Sequence, residues 1–270
     1  MPSKAWREAA LPLLSAGEVE VLEWSFDTCP EPPEWLDQLL DHYAEAGGLY
    51  GHGVSYSLLS ARFEPRQARW LEAAREETRQ RRYLGFSEHF GFLSAGDFRR
   101  GPPLPIPWNA TSVALGRDRL RRLAETTGCD VGLENLAFAF GRRDLLDQGP
   151  FLSDLLEAVD GYLVLDLHNL WCQVQNFGVA AGALLARYPL DRVRVVHVSG
   201  GSWSMAQGRP WRRDTHDGAV PEEVLALLPT ALGLCPRVEA VVLERLEADA
   251  TLEPEFLRIK RIVKEGRLGA

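Results

Sequence analysis

The sequence predicts an α/β fold of the TIM (β/α)8-barrel type. Short runs rich in Leu or β-branched residues alternate with longer segments of helical periodicity, which is the pattern of repeated βα units. The length of 270 residues fits one such barrel of about 250 residues. No Ser-, Pro- or Gly-rich linker divides the chain, so we expect a single barrel domain over residues 1–270.

Seven short apolar runs have the composition of buried strands. In chain order they are Val19–Glu23, Leu49–Val54, Tyr83–His89, Asp130–Glu134, Tyr162–Asp166, Arg192–Val198 and Ala240–Glu244. An eighth strand is expected within residues 200–218, which are rich in Gly, Trp and Arg, and it would end at Asp214–His216. These strands account for a closed barrel.

The segments between the strands carry apolar residues at helical spacing. In chain order they are Pro33–Ala46, Pro65–Gln80, Asn109–Thr127, Pro150–Val159, Val179–Tyr188, Pro221–Leu232 and Glu253–Glu265. Several begin with Pro in the first turn, which is a helix-start signal. Strands and helices therefore alternate along the whole chain.

The bulk composition excludes several classes of protein. A net charge of −8 argues against nonspecific affinity for nucleic acid or for an anionic membrane. The four cysteines form no Cys-x-x-Cys pair, so we expect reduced thiols rather than a disulfide framework or a zinc knuckle. The N-terminus lacks a signal-peptide pattern, and no run approaches the roughly 20 apolar residues that span a bilayer. We expect a soluble, cytoplasmic protein with no nucleic-acid or membrane partner.

Five of the six histidines fall in short polar clusters at the ends of apolar runs. Carboxylates occupy matching places. The residues concerned are His52, His89, His168, His197 and His216, with Glu134, Asp166 and Glu244. In a barrel of this type the C-terminal ends of the strands meet at one face and carry the functional groups. Imidazoles and carboxylates brought to one face are the donors of a divalent metal cluster.

Each cluster has a plainer explanation when it is taken alone. A single buried histidine, such as His52 or His197, is more often a hydrogen-bonded core residue than a ligand. Asx residues after a strand, such as Asp166, also make turns and helix caps. Asp214 and His216 are more suggestive, because residues two apart on an extended segment point to the same side. Taken jointly, so many polar groups at one rim require a compensating cation.

The ordered set of motifs resembles a known family. The motifs are His52-Gly53-Val54-Ser55, Ser87-Glu88-His89, Glu134-Asn135, Asp166-Leu167-His168-Asn169, His197, Asp214-Thr215-His216 and Glu244. Together they resemble the multinuclear non-haem iron-dependent oxidative enzymes, also called DUF692 or UPF0276, within the xylose-isomerase-like TIM barrels. The resemblance covers about residues 19–245. It implies a metal cluster at the C-terminal face of the barrel strands.

The resemblance also implies how the ligands are shared among three metal positions. The first position would take His52, His89 and a shared Glu134; the second Glu134, Asp166, His197 and Glu244; the third Asn169, Asp214 and His216. His168 departs from the Asn that is usual in the family. We therefore interpret His168 as a catalytic residue: an extra base, a fourth ligand or a substrate contact.

Enzymes of the resembled family use O2 and two or three irons of mixed Fe(II)/Fe(III) valence. They oxidise side chains or backbone of ribosomally synthesised precursor peptides, often at cysteine. The resemblance implies the same cofactors here, a precursor peptide as substrate, and a separate partner protein that recognises the leader segment. Four residues near the expected eighth strand are candidates for binding the peptide, namely Arg212, Arg213, Trp203 and Trp211. Arg binds carboxylates in bidentate fashion, and Trp offers a stacking surface.

Other functions share parts of this pattern. A zinc-dependent phosphodiesterase or abasic-site endonuclease of the endonuclease IV type has the same ligand order, but the net charge of −8 and Asn169, where those nucleases place a His, weigh against it. A non-catalytic peptide-binding subunit would be expected to have lost at least one ligand. A sugar isomerase relies mainly on carboxylates, whereas these candidates are rich in His.

Overall fold

Parallel strands form a nearly closed barrel with helices around it in the computed structural model, which describes residues 3–206, 208–246 and 248–268. The strands are β1 (Leu22–Trp24), β2 (Leu49–Gly53), β3 (Phe86–His89), β4 (Phe92–Ala95), β5 (Phe98–Leu104), β6 (Val131–Glu134), β7 (Tyr162–Asp166), β8 (Val193–Ser199), β9 (Trp203–Ala206), β10 (Arg209–Arg212) and β11 (Ala240–Glu244). The barrel sheet has the order β1-β2-β3-β6-β7-β8-β11, and all of its pairs are parallel. The α/β barrel predicted from the sequence is thereby confirmed.

Helices follow the strands, as the alternating pattern predicts. They are α1 (Lys4–Ser15), α2 (Glu34–Ala46), α3 (Pro65–Gln80), α4 (Ala110–Thr127), α5 (Arg142–Leu156), α6 (Leu167–Phe177), α7 (Ala181–Leu185), α8 (Glu222–Leu234) and α9 (Leu252–Leu268). Short 3-10 turns lie at Glu157–Val159 and Leu190–Arg192. Within the described ranges, no helix has the length and apolar character needed to cross a membrane.

The expected eighth barrel strand at Asp214–His216 is wrong. Residues 213–221 form no strand, and β8 pairs directly with β11. Five successive pairs from Val195–Ala240 to Ser199–Glu244 leave no space for a strand between them. The segment after β8 instead forms the antiparallel β9–β10 hairpin, and a loop then carries Asp214 and His216 over the rim.

Several helices also differ from the sequence-based expectation. Helix α1 precedes the first strand and was not predicted. Helix α5 begins at Arg142 rather than at Pro150, because Leu145 on the added turns is buried like the residues that follow. Helix α6 begins directly after β7, where Asp166 is the N-cap and its carboxylate accepts a hydrogen bond from the Asn169 backbone N–H.

A small apolar cluster fills the barrel interior below the rim. It contains Tyr50, Tyr162, Val164, Val195 and Ala240. Side chains alternate between the two faces of a strand, so positions two residues further along face the same interior. Those positions on β2, β7 and β8 are His52, Asp166 and His197. The fold therefore stacks the candidate site directly on the apolar interior layer.

Candidate metal centre

The first predicted metal group comes together around the carboxylate of Glu134. The Nε2 atom of His52 lies 3.1 Å from Glu134 Oε2, and the Nε2 atom of His89 lies 3.4 Å from the same oxygen. The ligand atoms of these three residues all lie within 4.8 Å of one another. Two imidazoles and one carboxylate therefore converge on a single point at the ends of β2, β3 and β6.

Hydrogen bonds fix both imidazole rings of this group. His89 Nδ1 donates to the Gly53 carbonyl at 3.1 Å, because a carbonyl only accepts. His52 Nδ1 lies 2.8 Å from Ser87 Oγ, which itself donates to the Gly51 carbonyl. Each Nδ1 is thus engaged outside the site, and each Nε2 is directed at Glu134. This arrangement orients a metal-binding histidine and selects its tautomer.

The carboxylate of Glu134 and the imidazole of His89 shift each other's pKa values. Burial opposes protonation of His89, but the carboxylate of Glu134 outweighs it and, with Glu88, raises the pKa of His89 to about 10. Burial would raise the pKa of Glu134, but the imidazoles of His89 and His52 lower it below its usual value. The site therefore pairs the buried Glu134 carboxylate with a protonated His89, and a metal ion would replace that proton.

The second predicted group is also assembled. Ligand atoms of Glu134, Asp166, His197 and Glu244 all lie within 4.8 Å of one another. Asp166 and His197 are direct neighbours in the register of β7 and β8. Asn135 holds the Asp166 backbone from both sides, since its amide donates to the Asp166 carbonyl at 3.0 Å and its oxygen accepts from the Asp166 N–H at 2.7 Å.

Carboxylates crowd this second group strongly enough to perturb one another. Burial raises the pKa of Asp166 well above its usual value, and the neighbouring charges of Asp214, Glu134 and Glu244 raise it further. Burial also acts to raise the pKa of Glu244, but His197 and His216 hold it well below its usual value. So dense a set of buried acids calls for a multivalent cation.

The third predicted group is built differently, because two of its members lie on a loop. Asp214 Oδ1 is 2.9 Å from His216 Nε2, and His216 adopts the left-handed backbone region with φ of 51°. Asn169 lies on the first turn of α6, and its amide donates to Glu134 Oε1 at 2.9 Å. Asn169 therefore connects this side of the site to the carboxylate of the first group.

Six of the nine predicted ligands carry a buried polar atom without a hydrogen-bond partner among the described residues. These atoms are Glu134 Oε2, Asp166 Oδ2, Asn169 Oδ1, the two ring nitrogens of His197, His216 Nε2 and Glu244 Oε2. Five of these seven atoms still lie 2.9–3.2 Å from an ionisable atom of a neighbouring residue; the exceptions are Asp166 Oδ2 and Asn169 Oδ1. A buried polar atom left unpaired costs about 1–3 kcal/mol, so these two are costly to bury. The concentration of such incompletely satisfied atoms on one set of residues fits a site that is completed by metal ions.

His168, predicted as a catalytic residue, lies behind Asp214 rather than at the centre of the ligand set. Its Nδ1 is 3.0 Å from Asp214 Oδ1, and its Nε2 faces the guanidinium of Arg212 at 3.1 and 3.2 Å. The ring is fully buried, and the Cys172 thiol is 3.9 Å away. Both ring nitrogens are thus engaged by neighbouring side chains.

The four predicted substrate-binding residues divide into two classes. Arg212 is only 6% exposed, and its side chain is directed inward at His168. Arg213, the next residue, is exposed. Trp203 is 50% exposed on the β9–β10 hairpin, whereas Trp211 packs against Phe177 with ring centroids 5.6 Å apart. Arg213 and Trp203 are therefore the more accessible of the four.

Two acidic residues that the sequence reasoning missed take part in the site. Glu23 is the middle residue of β1, and its Oε1 lies 2.9 Å from His197 Nε2, while Glu244 Oε2 is 3.2 Å from His197 Nδ1. Burial opposes protonation of His197, yet these two carboxylates raise its pKa well above the usual value. The sequence did contain a signal for Glu23, because it ends the predicted strand Val19–Glu23 just as Glu134 ends Asp130–Glu134.

The second missed residue, Asp27, holds the loop that follows His52. Its carboxylate accepts hydrogen bonds from the backbone N–H of Val54 and of Ser55, from the Ser55 hydroxyl and from the Trp70 indole. Because these donors lie 27 to 43 residues away along the chain, no local pattern marks Asp27.

Comparison with known proteins gives a family match over nearly the whole chain. The profile of the family described as RiPP precursor modification enzyme MbnB/TglH/ChrH matches residues 8–264. A UPF0276 protein of Bordetella pertussis is 31% identical over 207 residues, which cover 75% of this chain and 69% of that protein. One from Anaeromyxobacter sp. is 25% identical over 256 residues, covering 89% and 86%. One from Caulobacter vibrioides is 30% identical over 165 residues, covering 58% of this chain and about half, 55%, of that relative.

Solved structures share the fold at low identity. L-ribulose 3-epimerase superposes with a TM-score of 0.56 and 15% identity, covering 100% of this chain and 92% of the other. Endonuclease IV from Thermus thermophilus gives a TM-score of 0.56 and 14% identity, covering 99% and 96%. At these identities the likeness extends to the barrel and no further.

Proposed function

This chain belongs to the family of RiPP precursor modification enzymes MbnB/TglH/ChrH, and we propose that it is an iron- and O2-dependent enzyme that oxidises a ribosomally synthesised precursor peptide. Family membership supports an enzyme that acts on such a peptide. The observation that carries the metal part of the proposal is the convergence of two groups of ligand atoms, each within 4.8 Å, with buried polar atoms on six predicted ligands that make no hydrogen bond among the described residues. As the cofactor we propose two or three irons of mixed valence at the barrel rim.

The donor sets suit iron. His52, His89 and Glu134 supply two imidazoles and one carboxylate, the combination that non-haem Fe(II) oxygenases use. The second position would take Glu134, Asp166, His197 and Glu244, and the third Asn169, Asp214 and His216. Iron bound there supplies O2 activation and Lewis-acid chemistry at open coordination positions.

The protein's own contribution is orientation and charge. Ser87 and the Gly53 carbonyl hold the Nδ1 protons of His52 and His89, so that both Nε2 atoms face Glu134. Glu134 is held by the amide of Asn169, which leaves its second oxygen available to the metals. A site fixed in this way needs little rearrangement when a substrate binds.

The peptide would reach the centre beside the β9–β10 hairpin. Trp203 and Trp211 offer aromatic surface there, and the exposed Arg213 offers a cation for an acidic side chain or a C-terminal carboxylate. We assign Trp203, Trp211 and Arg213 to peptide binding. Arg212 is buried against His168, and we do not assign it to peptide binding.

The test combines oxygen consumption with mass spectrometry of the peptide. The protein is purified without oxygen, loaded with Fe(II), and mixed with air-saturated buffer and each precursor peptide encoded beside its gene, with and without the neighbouring gene products as partners. We expect O2 uptake that depends on the peptide and a mass change in the peptide. A variant with His52→Ala should show neither, while Arg213→Ala should raise KM more than it lowers kcat.

Two outcomes would contradict the proposal. The first is an iron-loaded protein that leaves every such peptide unchanged and consumes no O2. The second is activity that follows zinc and cleaves phosphodiesters, which would establish the nuclease alternative instead.

A further inference from the structure

We infer that Arg212 and His168 are positioning residues that tie the β9–β10 hairpin to the third metal position by holding Asp214. The inference rests on the metal centre of the proposed function, but not on its iron, its O2 chemistry or its peptide. Through Arg212 and His168, the β9–β10 hairpin is connected to the metal ligand Asp214. Four observations carry it.

The first observation is the direction of the hydrogen bonds. A guanidinium has only N–H groups and accepts nothing. Because Arg212 Nε and a terminal nitrogen both lie within 3.2 Å of His168 Nε2, that ring nitrogen must present its lone pair. The ring proton of neutral His168 then resides on Nδ1, which donates to Asp214 Oδ1 at 3.0 Å. Arg212 thereby selects the tautomer that binds Asp214.

The second observation is the position of Asp214. It lies in a loop outside the barrel strands, so the backbone pairing that fixes Asp166 or His197 does not fix Asp214. The Oδ1 atom of Asp214 is held by His168 and, at 3.4 Å, by the Ser199 hydroxyl. The same Oδ1 also lies 2.9 Å from His216 Nε2, so the oxygen that His168 holds is the one that faces the other loop ligand of the third position. A loop ligand that is tethered in this way is preorganised.

The third observation is how firmly Arg212 itself is held. Asn176 on α6 accepts from the Arg212 backbone N–H at 2.8 Å and donates to its carbonyl at 2.9 Å. The guanidinium carbon lies 4.8 Å from the Trp171 ring centroid and 5.7 Å from that of Trp203. The two indoles also contact each other, with ring centroids 6.2 Å apart, and a buried cation packed against such a pair gains from cation–π attraction. Arg212 is therefore built into the structure, unlike a solvated loop cation.

The fourth observation is that one of the two indoles that contact Arg212 is exposed. Trp203 is 50% exposed and belongs to the hairpin beside which the peptide is proposed to dock. A contact that moves Trp203 acts on Arg212, and Arg212 acts on Asp214 through His168. Coupling of this kind is reciprocal: filling the third metal position must also change the environment of Trp203.

The experiment measures zinc binding and tryptophan fluorescence in the full chain. Zinc is the probe because it accepts His and carboxylate ligands and does not absorb visible light. We expect wild type to bind three zinc ions, and Arg212→Met to bind the third ion at least about 10-fold more weakly, the lower end of the usual effect of an outer-shell partner. The control Arg209→Met removes the same charge from an exposed side chain of the same hairpin and should keep all three ions.

Two further variants keep the test decisive if Arg212→Met does not fold. His168→Leu removes the donor to Asp214 and should also weaken the third ion, and the double variant should be no weaker than His168→Leu alone, because both residues act on one contact. In wild type the third zinc should change the emission contributed by Trp203, measured as the difference from Trp203→Phe, and Arg212→Met should abolish that change.

Three results would overturn the inference. In the first, wild type binds two zinc ions or fewer. In the second, Arg212→Met and His168→Leu both retain wild-type affinity for the third ion. In the third, binding of the third ion leaves the Trp203 emission unchanged. Absence of peptide oxidation by the iron-loaded protein, together with the expected zinc-binding results, would instead refute the proposed function and leave this inference intact.

Discussion

Asp27 offers the sharpest test of how the fold holds the site, because replacing it by Ala removes four hydrogen bonds at once. Three of them are 2.7 Å long, from the Ser55 N–H, the Ser55 hydroxyl and the Trp70 indole, and the fourth, from the Val54 N–H, is 3.1 Å long. The two Ser55 donors are exposed and can turn to water. The Val54 and Trp70 donors are partly buried, and each would lose its partner.

The magnitude follows from those two donors. An orphaned buried donor costs about 1–3 kcal/mol, and the solvent-accessible pair adds little, so we expect a loss of about 3 kcal/mol in the free energy of unfolding. For a chain of this size each kcal/mol shifts Tm by roughly 2–4 °C, which predicts a fall of about 6–12 °C.

The assay is thermal unfolding of the metal-free protein followed by circular dichroism. Asp97→Ala is the matched control, since Asp97 is an exposed residue in the turn between β4 and β5, and its Tm should stay within about 2 °C of wild type. Asp27→Asn keeps one acceptor oxygen and should fall between the two. If Asp27→Ala had the same Tm as Asp97→Ala, the reasoning that the Asp27 carboxylate holds the loop after His52 would be refuted.

The remaining predictions concern the metal centre. His89 and His216 both have a pKa raised to about 10, by buried carboxylates that outweigh the opposing effect of burial, so both carry a proton in the metal-free protein at pH 7. Metal binding requires neutral rings, so it should release at least two protons, and metal affinity should rise with pH until about pH 10. Calorimetry in two buffers of different ionisation enthalpy measures the number of protons released. A metal that binds without releasing protons would contradict the assignment. Glu134→Ala removes the carboxylate shared by two positions and should reduce metal content by two ions per chain in elemental analysis, whereas retention of both would show that Glu134 does not bridge. Glu23→Leu should lower the metal affinity of the second position by about 10–100-fold, because Glu23 contacts the ligand His197, and Glu23→Gln should be closer to wild type. A metal-competition titration that gives equal affinities for wild type and Glu23→Leu would show that Glu23 does not support the centre.

Much of the metal centre was predictable because its ligands obey a local rule. Glu134, Asp166 and Glu244 each end a buried apolar run, and parallel strands bring such ends to one rim. The period of two along a strand then decides the face, which is why His52 and His197 lie on the interior layer. A strand-end residue is thus recognisable without knowledge of its neighbours in space.

Residues whose role depends on distant partners were not predictable in this way. Arg212 reads as a loop cation in the sequence, but Trp171 from another element and the backbone contacts of Asn176 bury it. The expected eighth strand failed for a related reason: the extended segment before Asp214 pairs with itself as the β9–β10 hairpin, while β8 and β11 pair with each other. Strand pairing of this kind is decided by the whole barrel rather than by the segment.

The central claim is that this rim holds a multinuclear iron centre. The measurement that tests it most directly is elemental analysis combined with Mössbauer spectroscopy on protein purified without oxygen. The account predicts two to three irons per chain, with Fe(II) and Fe(III) both present, and loss of most of that iron in Glu134→Ala. A protein that contains zinc alone, or no metal after incubation with Fe(II), would contradict it.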